Sequence, residues 1–200
     1  MAAPVVGDKR LDVSKLEEKF GESFFGAVTK GDDTYVLLDR SVLAEAVKFL
    51  KDDEDLEYDY FVECLGADYL GWKHDRDLEE RFEVIYNLYS TKHSSRLFIK
   101  VGANDGDKVP SVKEIFLGAE YPEREVWDLF GVEFEGNEQS ERFLLPDDWV
   151  GHPLRKDVGL GGEDVVFDQG TEGPAIEDIQ MPHAGESFEG KTGSEDVSGR

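Results

Sequence analysis

The chain has 200 residues, with 22 Lys and Arg against 46 Asp and Glu, for a formal charge of −24. Phosphate-rich partners need a basic surface that this balance does not offer, which excludes nucleic acid and anionic lipid as targets. A single cysteine, Cys64, excludes an internal disulfide, a CxxC pair and a four-thiolate iron–sulfur cluster held by this chain.

Residues 1–10 read as a loose start. Ser14-Lys15-Leu16-Glu17 has the form of a capping box, and Leu16 and Phe20 share a face before Gly21, which predicts a short helix. The apolar runs Phe24 to Thr29 and Thr34 to Asp39 flank Lys30-Gly31-Asp32-Asp33 and predict a hairpin. Val42, Leu43, Ala46, Val47 and Leu50 recur at helical spacing and predict a helix over 40–51, with the acidic run 52–55 in the loop after it.

Three period-2 segments follow. Tyr58, Tyr60, Val62 and Cys64 form one set; Phe82, Val84, Tyr86 and Leu88 a second; Leu97, Ile99 and Val101 a third. Rich in aromatic and β-branched residues, they predict a half-covered sheet, the last two forming an antiparallel hairpin. Ser111 with Glu114 makes a second capping box opening a helical region. Pro122 suits the first turn of a further helix through Phe130, and Gly131 supplies a left-handed end. Regular patterns fade from Val132. Residues 158–200 carry ten acidic and two basic residues among nine glycines, too polar to fold alone. The expected fold is α+β, a mixed or antiparallel sheet with helices packed on one face, followed by an extended irregular C-terminal tail. Three parts result: an α+β domain over 1–135, an ordered loop over 136–157, and an acidic tail over 158–200 that wraps partners.

Two segments are dense in functional groups. Glu120-Tyr-Pro-Glu-Arg-Glu-Val-Trp-Asp128 gathers four carboxylates and an arginine. Such a group can bind a divalent cation or work as an acid–base pair. Helical spacing instead places Arg124 between Glu120 and Asp128 as an ion-pair ladder, with Val126, Leu129 and Phe130 on the buried face. Leu144-Leu-Pro-Asp-Asp-Trp-Val-Gly-His-Pro-Leu-Arg-Lys-Asp157 reads as a fixed loop in which His152 anchors by hydrogen bonding and Arg155-Lys156 meets a carboxylate or carbonyl. His74, His93, His152 and His183 have no zinc-ligand spacing, and no phosphate-cradling glycine loop, nucleophile elbow or HExxH motif is present. No secretory signal and no apolar run of membrane-spanning length stands out, so a soluble protein of the reducing cytosol is expected.

Taken together, the two segments resemble a known family. Glu123-Arg124-Glu125-x-x-Asp128-Leu129-Phe130-Gly131-Val132-x-Phe134-x-Gly136, followed by Leu145-Pro-Asp-Asp-Trp-x-Gly-His-Pro-Leu-Arg-Lys-Asp157, is similar to the 30-kilodalton subunit family of proton-pumping NADH:quinone oxidoreductase, respiratory complex I. Arg81-Phe-Glu-Val-Ile-Tyr-x-Leu88 and Pro110-Ser111-Val112 extend the likeness, which spans about residues 56–160. The chain departs from the family at Asn137-Glu-Gln-Ser-Glu-Arg142, where a His and one of two arginines are replaced, and at Tyr121-Pro122.

The resemblance implies a non-catalytic peripheral-arm subunit on the quinone-binding module, supporting electron transfer from NADH to quinone coupled to proton translocation. No cofactor would be bound by this chain; FMN, iron–sulfur clusters and quinone would sit in neighbouring subunits. It further implies a hetero-oligomer with subunits D, B and I on the cytoplasmic side of the cell membrane, without direct membrane insertion. The implied partner interface comprises Glu123, Arg124, Glu125, Asp128, Phe130, Gly131, Asp147, Trp149, His152, Pro153, Leu154, Arg155, Lys156 and Asp157. Related complexes that use ferredoxin or coenzyme F420, and membrane-bound hydrogenases, contain similar subunits, so the electron donor stays open. Two unrelated readings also stand: a metal-dependent enzyme using Glu123, Glu125, Asp128, Asp147 and His152, and a free-standing acidic adaptor.

Overall fold

The computed structural model describes residues 5–6, 9–137 and 141–158. A short pair, β1 (Val5–Val6) and β2 (Lys9–Arg10), leads into α1 (Leu11–Phe20). The hairpin β3 (Phe24–Lys30) and β4 (Asp33–Leu38) comes next, then α2 (Leu43–Asp52). Three long strands, β5 (Tyr60–Asp68), β6 (Phe82–Ser90) and β7 (Ser95–Ala103), precede the short β8 (Lys108–Pro110). The last elements are α3 (Glu120–Phe130) and β9 (Glu133–Glu135). No helix of the described residues is long and apolar enough to cross a membrane.

The sheet order is β3-β4-β7-β6-β5, with β4 and β7 parallel and every other neighbouring pair antiparallel. The sheet is therefore mixed, within the expected α+β class. Alternation decides its buried face: Val84, Tyr86 and Leu88 of β6 and Leu97, Ile99 and Val101 of β7 are fully buried. They join one cluster with Leu16 of α1, Leu43, Val47 and Leu50 of α2, and Val126 of α3. Each such side chain contributes about 1.5–3 kcal/mol relative to exposure, a gain opposed by the entropy of ordering the chain.

Four local expectations are corrected. The capping box at Ser14 does not start its helix: α1 begins at Leu11, and the Ser14 hydroxyl donates to the Arg10 carbonyl at 3.2 Å. Nor does Ser111 cap a helix. Its hydroxyl donates to Glu123 and accepts from the Lys113 N–H at 3.1 Å, while the preceding β8 pairs in parallel with β9, placing strand structure beyond Val132. In β5 a bulge between Phe61 and Glu63 shifts the side-chain phase. Tyr60 and Val62 consequently face solvent, whereas Phe61 packs on Tyr86 and Phe116, and Cys64 is buried.

The fourth correction concerns the loose start. Arg10 reaches across the chain, donating to Thr34 at 3.1 Å, Tyr58 at 3.0 Å, Ser95 at 2.9 Å and the Arg96 carbonyl at 2.9 Å, while pairing with buried Asp12 at 2.6 Å. An uncompensated charge is costly to bury, and this network answers both Arg10 and Asp12. The acidic tail expected over 158–200 lies outside the described residues apart from Val158.

Candidate functional site

Helix α3 forms because its good helix formers follow Pro122 in the first turn, and it stops at Gly131, whose φ of 77° suits glycine and whose N–H donates to the Trp127 carbonyl at 2.8 Å. The helix carries two fully buried carboxylates, Glu123 and Asp128, on faces that turn to different neighbours. Glu123 accepts from the Tyr86 hydroxyl at 3.0 Å, the Val112 N–H at 2.9 Å, the Asn137 amide at 2.8 Å and the Ser111 hydroxyl. It fastens α3 to β6 and to the chain leaving β8.

Asp128 fastens the segment 141–158. One oxygen accepts the N–H groups of Phe143, Leu144 and Leu145 at 3.2, 2.8 and 3.0 Å, and the other pairs with Arg142 at 3.0 Å. Burial opposes its charge, but the bonds from Leu145, Leu144 and Arg142 outweigh that and hold the carboxyl below the usual range. Arg142 continues outward, donating to the Trp149 and Gly151 carbonyls at 3.0 Å each and lying over the Trp127 ring. His152 then closes on the helix end. Its Nδ1 stands 2.9 Å from the Asp128 carbonyl, an acceptor, so that nitrogen carries the proton. Its ring lies so close to Gly131 that a Cβ there would come within 2.5 Å. The Leu154 N–H donates to the Leu129 carbonyl at 3.1 Å.

A second anchor holds the end of the motif. The side chain of Asp68, fully buried at the end of β5, pairs with Arg81 at 2.8 Å and accepts the backbone N–H of Lys156 at 2.9 Å. Burial opposes the Asp68 charge, yet bonds from Arg81, Lys156 and Leu70 bring its carboxyl down to about 2. Arg81 also pairs with Asp157 at 3.0 Å and Asp105 at 2.9 Å, and Arg155 pairs with Asp105. The expected carboxylate partner of the Arg155-Lys156 pair is thus found for Arg155. Lys156 takes part through its backbone.

The residues named from sequence divide accordingly. Glu123, Asp128, Gly131, Trp149, His152, Arg155 and Asp157 are drawn into internal contacts, with Phe130 packed against Gly66 and Pro153 half-buried. Glu125, Asp147, Leu154 and the Lys156 side chain are exposed. The ladder through Arg124 does not form. Among the described residues Arg124 pairs with neither Glu120 nor Asp128, because Arg142 occupies Asp128, and Leu129 is only half-buried where Asp128 is buried. The five side chains named for a metal-dependent enzyme are not gathered, and no His, Cys, Asp and Glu group of metal-holding size occurs among the described residues.

A family model described as the respiratory-chain NADH dehydrogenase 30 Kd subunit matches residues 36–164. The chain belongs to this family. It is 38% identical over 161 residues to the C subunit of the NADH-quinone oxidoreductase of Roseiflexus sp. strain RS-1, covering 80% of this chain and 89% of that one. To the same-named subunit of Geobacter sulfurreducens it is 40% identical over 153 residues, covering 76% and 90%. Among solved structures, a trypsin-resistant fragment (1–134) of Nqo5 matches with a TM-score of 0.55 at 29% identity, covering 64% of this chain and 99% of the fragment. A chain of the membrane-bound sulfane sulfur reductase, an archaeal respiratory membrane complex, shares the fold, with a TM-score of 0.62 at 23% identity over 84% and 96% of the two chains.

Against the 30-kilodalton family pattern, sequence reading missed Asp68, Asp105, Asn137 and Arg142 as structural partners. Asp68 and Lys156 are 88 positions apart, so no local pattern joins them. Asn137 and Arg142 each bind one of the two buried carboxylates of α3. The usable signal was Arg81, which opens the family's strand motif.

Proposed function

We infer that this chain is a non-catalytic structural subunit of the peripheral arm of NADH:quinone oxidoreductase. It supports a quinone-binding module whose FMN, iron–sulfur clusters and quinone belong to neighbouring subunits. The supporting observation is that the family's motif residues build a brace instead of an open site. Glu123, Asp128 and Asp68 spend their oxygens on this chain's own donors, which fixes an otherwise irregular segment in one geometry.

A fixed segment is what a spacer between electron carriers requires, since a small displacement of one carrier slows transfer to the next. Cys64 is assigned no redox role in this reading. Burial, with Glu123 and Glu125 adding, pushes its thiol up, whereas a cluster ligand must be a thiolate. The family's role makes the chain part of a membrane respiratory complex, and in this reading it is a peripheral part of that complex. Subunits D, B and I are its neighbours in this reading, and the cytoplasmic face is its side. The translocase activity belongs to the whole assembly.

The experiment is purification of the native membrane complex through a tag on this chain, alongside the chain expressed by itself. Iron–sulfur and quinone-module subunits are expected with the tagged chain, and less than about 0.1 equivalent of iron or flavin with the chain alone. One equivalent of either in the isolated chain, or recovery without iron–sulfur subunits, overturns the proposal.

A further inference from the structure

The carboxylates that brace α3 leave one of its exposed sides unexplained. Leu117 is 82% exposed in the turn before the helix and Tyr121, one turn on, is 55% exposed. Phe143 of the following segment lies beside Tyr121 with ring centroids 5.5 Å apart, and its neighbour Leu144 is 56% exposed. The apolar surface continues onto the edge strand β5, because a Cβ at Gly118 would stand 3.7 Å from the Phe61 ring, next to exposed Tyr60. Single exposed apolar residues are ordinary, but contiguous groups of them mark interaction surfaces.

Arg124 occupies the middle of this patch. Its guanidinium lies 5.9 Å from the Tyr121 ring centre and 5.5 Å from that of Phe143, and one nitrogen donates to the Glu141 carbonyl at 3.4 Å. Among the described residues its buried Nε has no hydrogen-bond partner and it forms no ion pair, although the chain holds 46 Asp and Glu. An arginine set beside two aromatic rings without a carboxylate partner among the described residues has the composition of an interface anchor. Next to it in the chain Glu125 is exposed, as is Glu141, whose carbonyl it meets.

We propose that the patch centred on Tyr121, Arg124 and Phe143 docks another subunit of the same oxidoreductase, through a facing surface that is apolar in the middle and edged with Lys and Arg. The partner class rests on the functional reading above. Charge complementarity selects its chemistry: a second copy of this chain would bring another −24 against the same acidic rim, and an anionic lipid surface would be repelled likewise.

The test places a photo-crosslinking benzophenone amino acid at Leu117 in the full chain, within the assembled complex, with Phe25 on the opposite edge strand β3 as a second probe position. Expected is a crosslink from position 117 to a Lys- or Arg-bearing apolar peptide of another subunit, weaker at higher salt during assembly. In parallel, the Leu117→Ser, Tyr121→Ser double variant should melt within about 1 °C of the parent as a full chain, since both side chains are exposed, yet be recovered in the complex about tenfold less. Position 117 crosslinking only to another copy of this chain or to lipid, or the double variant assembling at normal yield, overturns the docking proposal while leaving the subunit reading intact. A parent chain that never copurifies with iron–sulfur subunits overturns the subunit reading, and the choice of partner falls with it.

Discussion

The β6–β7 hairpin and the segment 141–158 are both ordered, yet they are ordered by different means. The hairpin pairs nine residues against nine, from Phe82 with Ala103 to Ser90 with Ser95, and its inward side chains are fully buried. Its stability is spread over many small apolar contacts, each of which other contacts can partly replace. The segment has no strand or helix and exposes Leu144, Val150 and Leu154. Its position depends on a few polar contacts, chiefly those to the Asp128 and Asp68 side chains, with single bonds from His152, Leu154, Arg155 and Asp157 beside them. Distributed apolar order should degrade gradually, whereas order hung on two carboxylates should fail at a single substitution.

The sharpest break is Asp128→Ala. It leaves the Arg142 guanidinium, only 15% exposed, without its carboxylate and three backbone N–H groups without their acceptor. Removing one member of a buried pair costs about 3–5 kcal/mol. Denaturant unfolding should show that loss, and hydrogen exchange should show the Leu144 and Leu145 amides opening while the β6–β7 amides stay slow. If Leu144 and Leu145 remain as protected as in the parent, the segment is not hung on Asp128 and the contrast fails.

Acid should separate the two regions next. Asp68 titrates near 2 when folded, below its ordinary 3.8, so its contribution is complete above about pH 4 and is lost as pH falls through 2. The shift corresponds to about 2 kcal/mol. Asp128, also lowered, adds in the same direction. Unfolding midpoints measured between pH 5 and 2 should fall steeply for the parent and less steeply for Asp68→Asn, which is already weaker at pH 5. Equal slopes would show that Asp68 is not the acid-sensitive anchor.

What could be read from the sequence follows the same division. The hairpin, the sheet and α3 with its Gly131 end were legible because apolar periodicity and glycine conformation are local signals. Within that half, the errors at Ser14 and Ser111 came from hydroxyls whose local capping pattern lost to partners elsewhere, the Arg10 carbonyl and Glu123. The phase of β5 was misread because a bulge leaves no mark in the alternation until its partner strand is known. For the candidate site, the motif was legible as a string but not as a structure. Spacing made Arg124 the partner of Asp128, and only the fold brings in Arg142 instead. Asp68 and Asp105 were invisible as holders of the motif, because Lys156 and Arg155, which they bind there, lie 88 and 50 positions away.

Gly131→Ala probes the seam where the two regions meet. The residue must keep a φ of 77°, which costs a side-chain-bearing residue about 1–2 kcal/mol, and its Cβ would press on His152. The melting temperature should drop. The environment of Trp127, against whose ring His152 lies at 6.3 Å, should change as well. A drop without any change in tryptophan fluorescence would mean that the backbone strain is real but the His152 contact holds nothing in place.

The smallest effect is expected in the region where order is most distributed. Ile99→Val removes one methylene from a fully buried position at the centre of β7, paired with Tyr86 on one side and Val36 on the other. The substitution should cost about 0.5–1.5 kcal/mol, depending on how far the neighbours close the gap. Its signature should differ from that of Asp128→Ala in pattern as well as size. Because Ile99 belongs to the same cluster as residues of all three helices, its loss lowers the stability of the whole cooperative unit. Slow-exchanging amides of β6, β7 and α3 should therefore all accelerate by a similar factor, those of Leu144 and Leu145 no more than the rest. A selective loss of protection in the segment 141–158 after Ile99→Val would show that the segment reads the packing of the core directly, and that two carboxylates are not enough to account for its order.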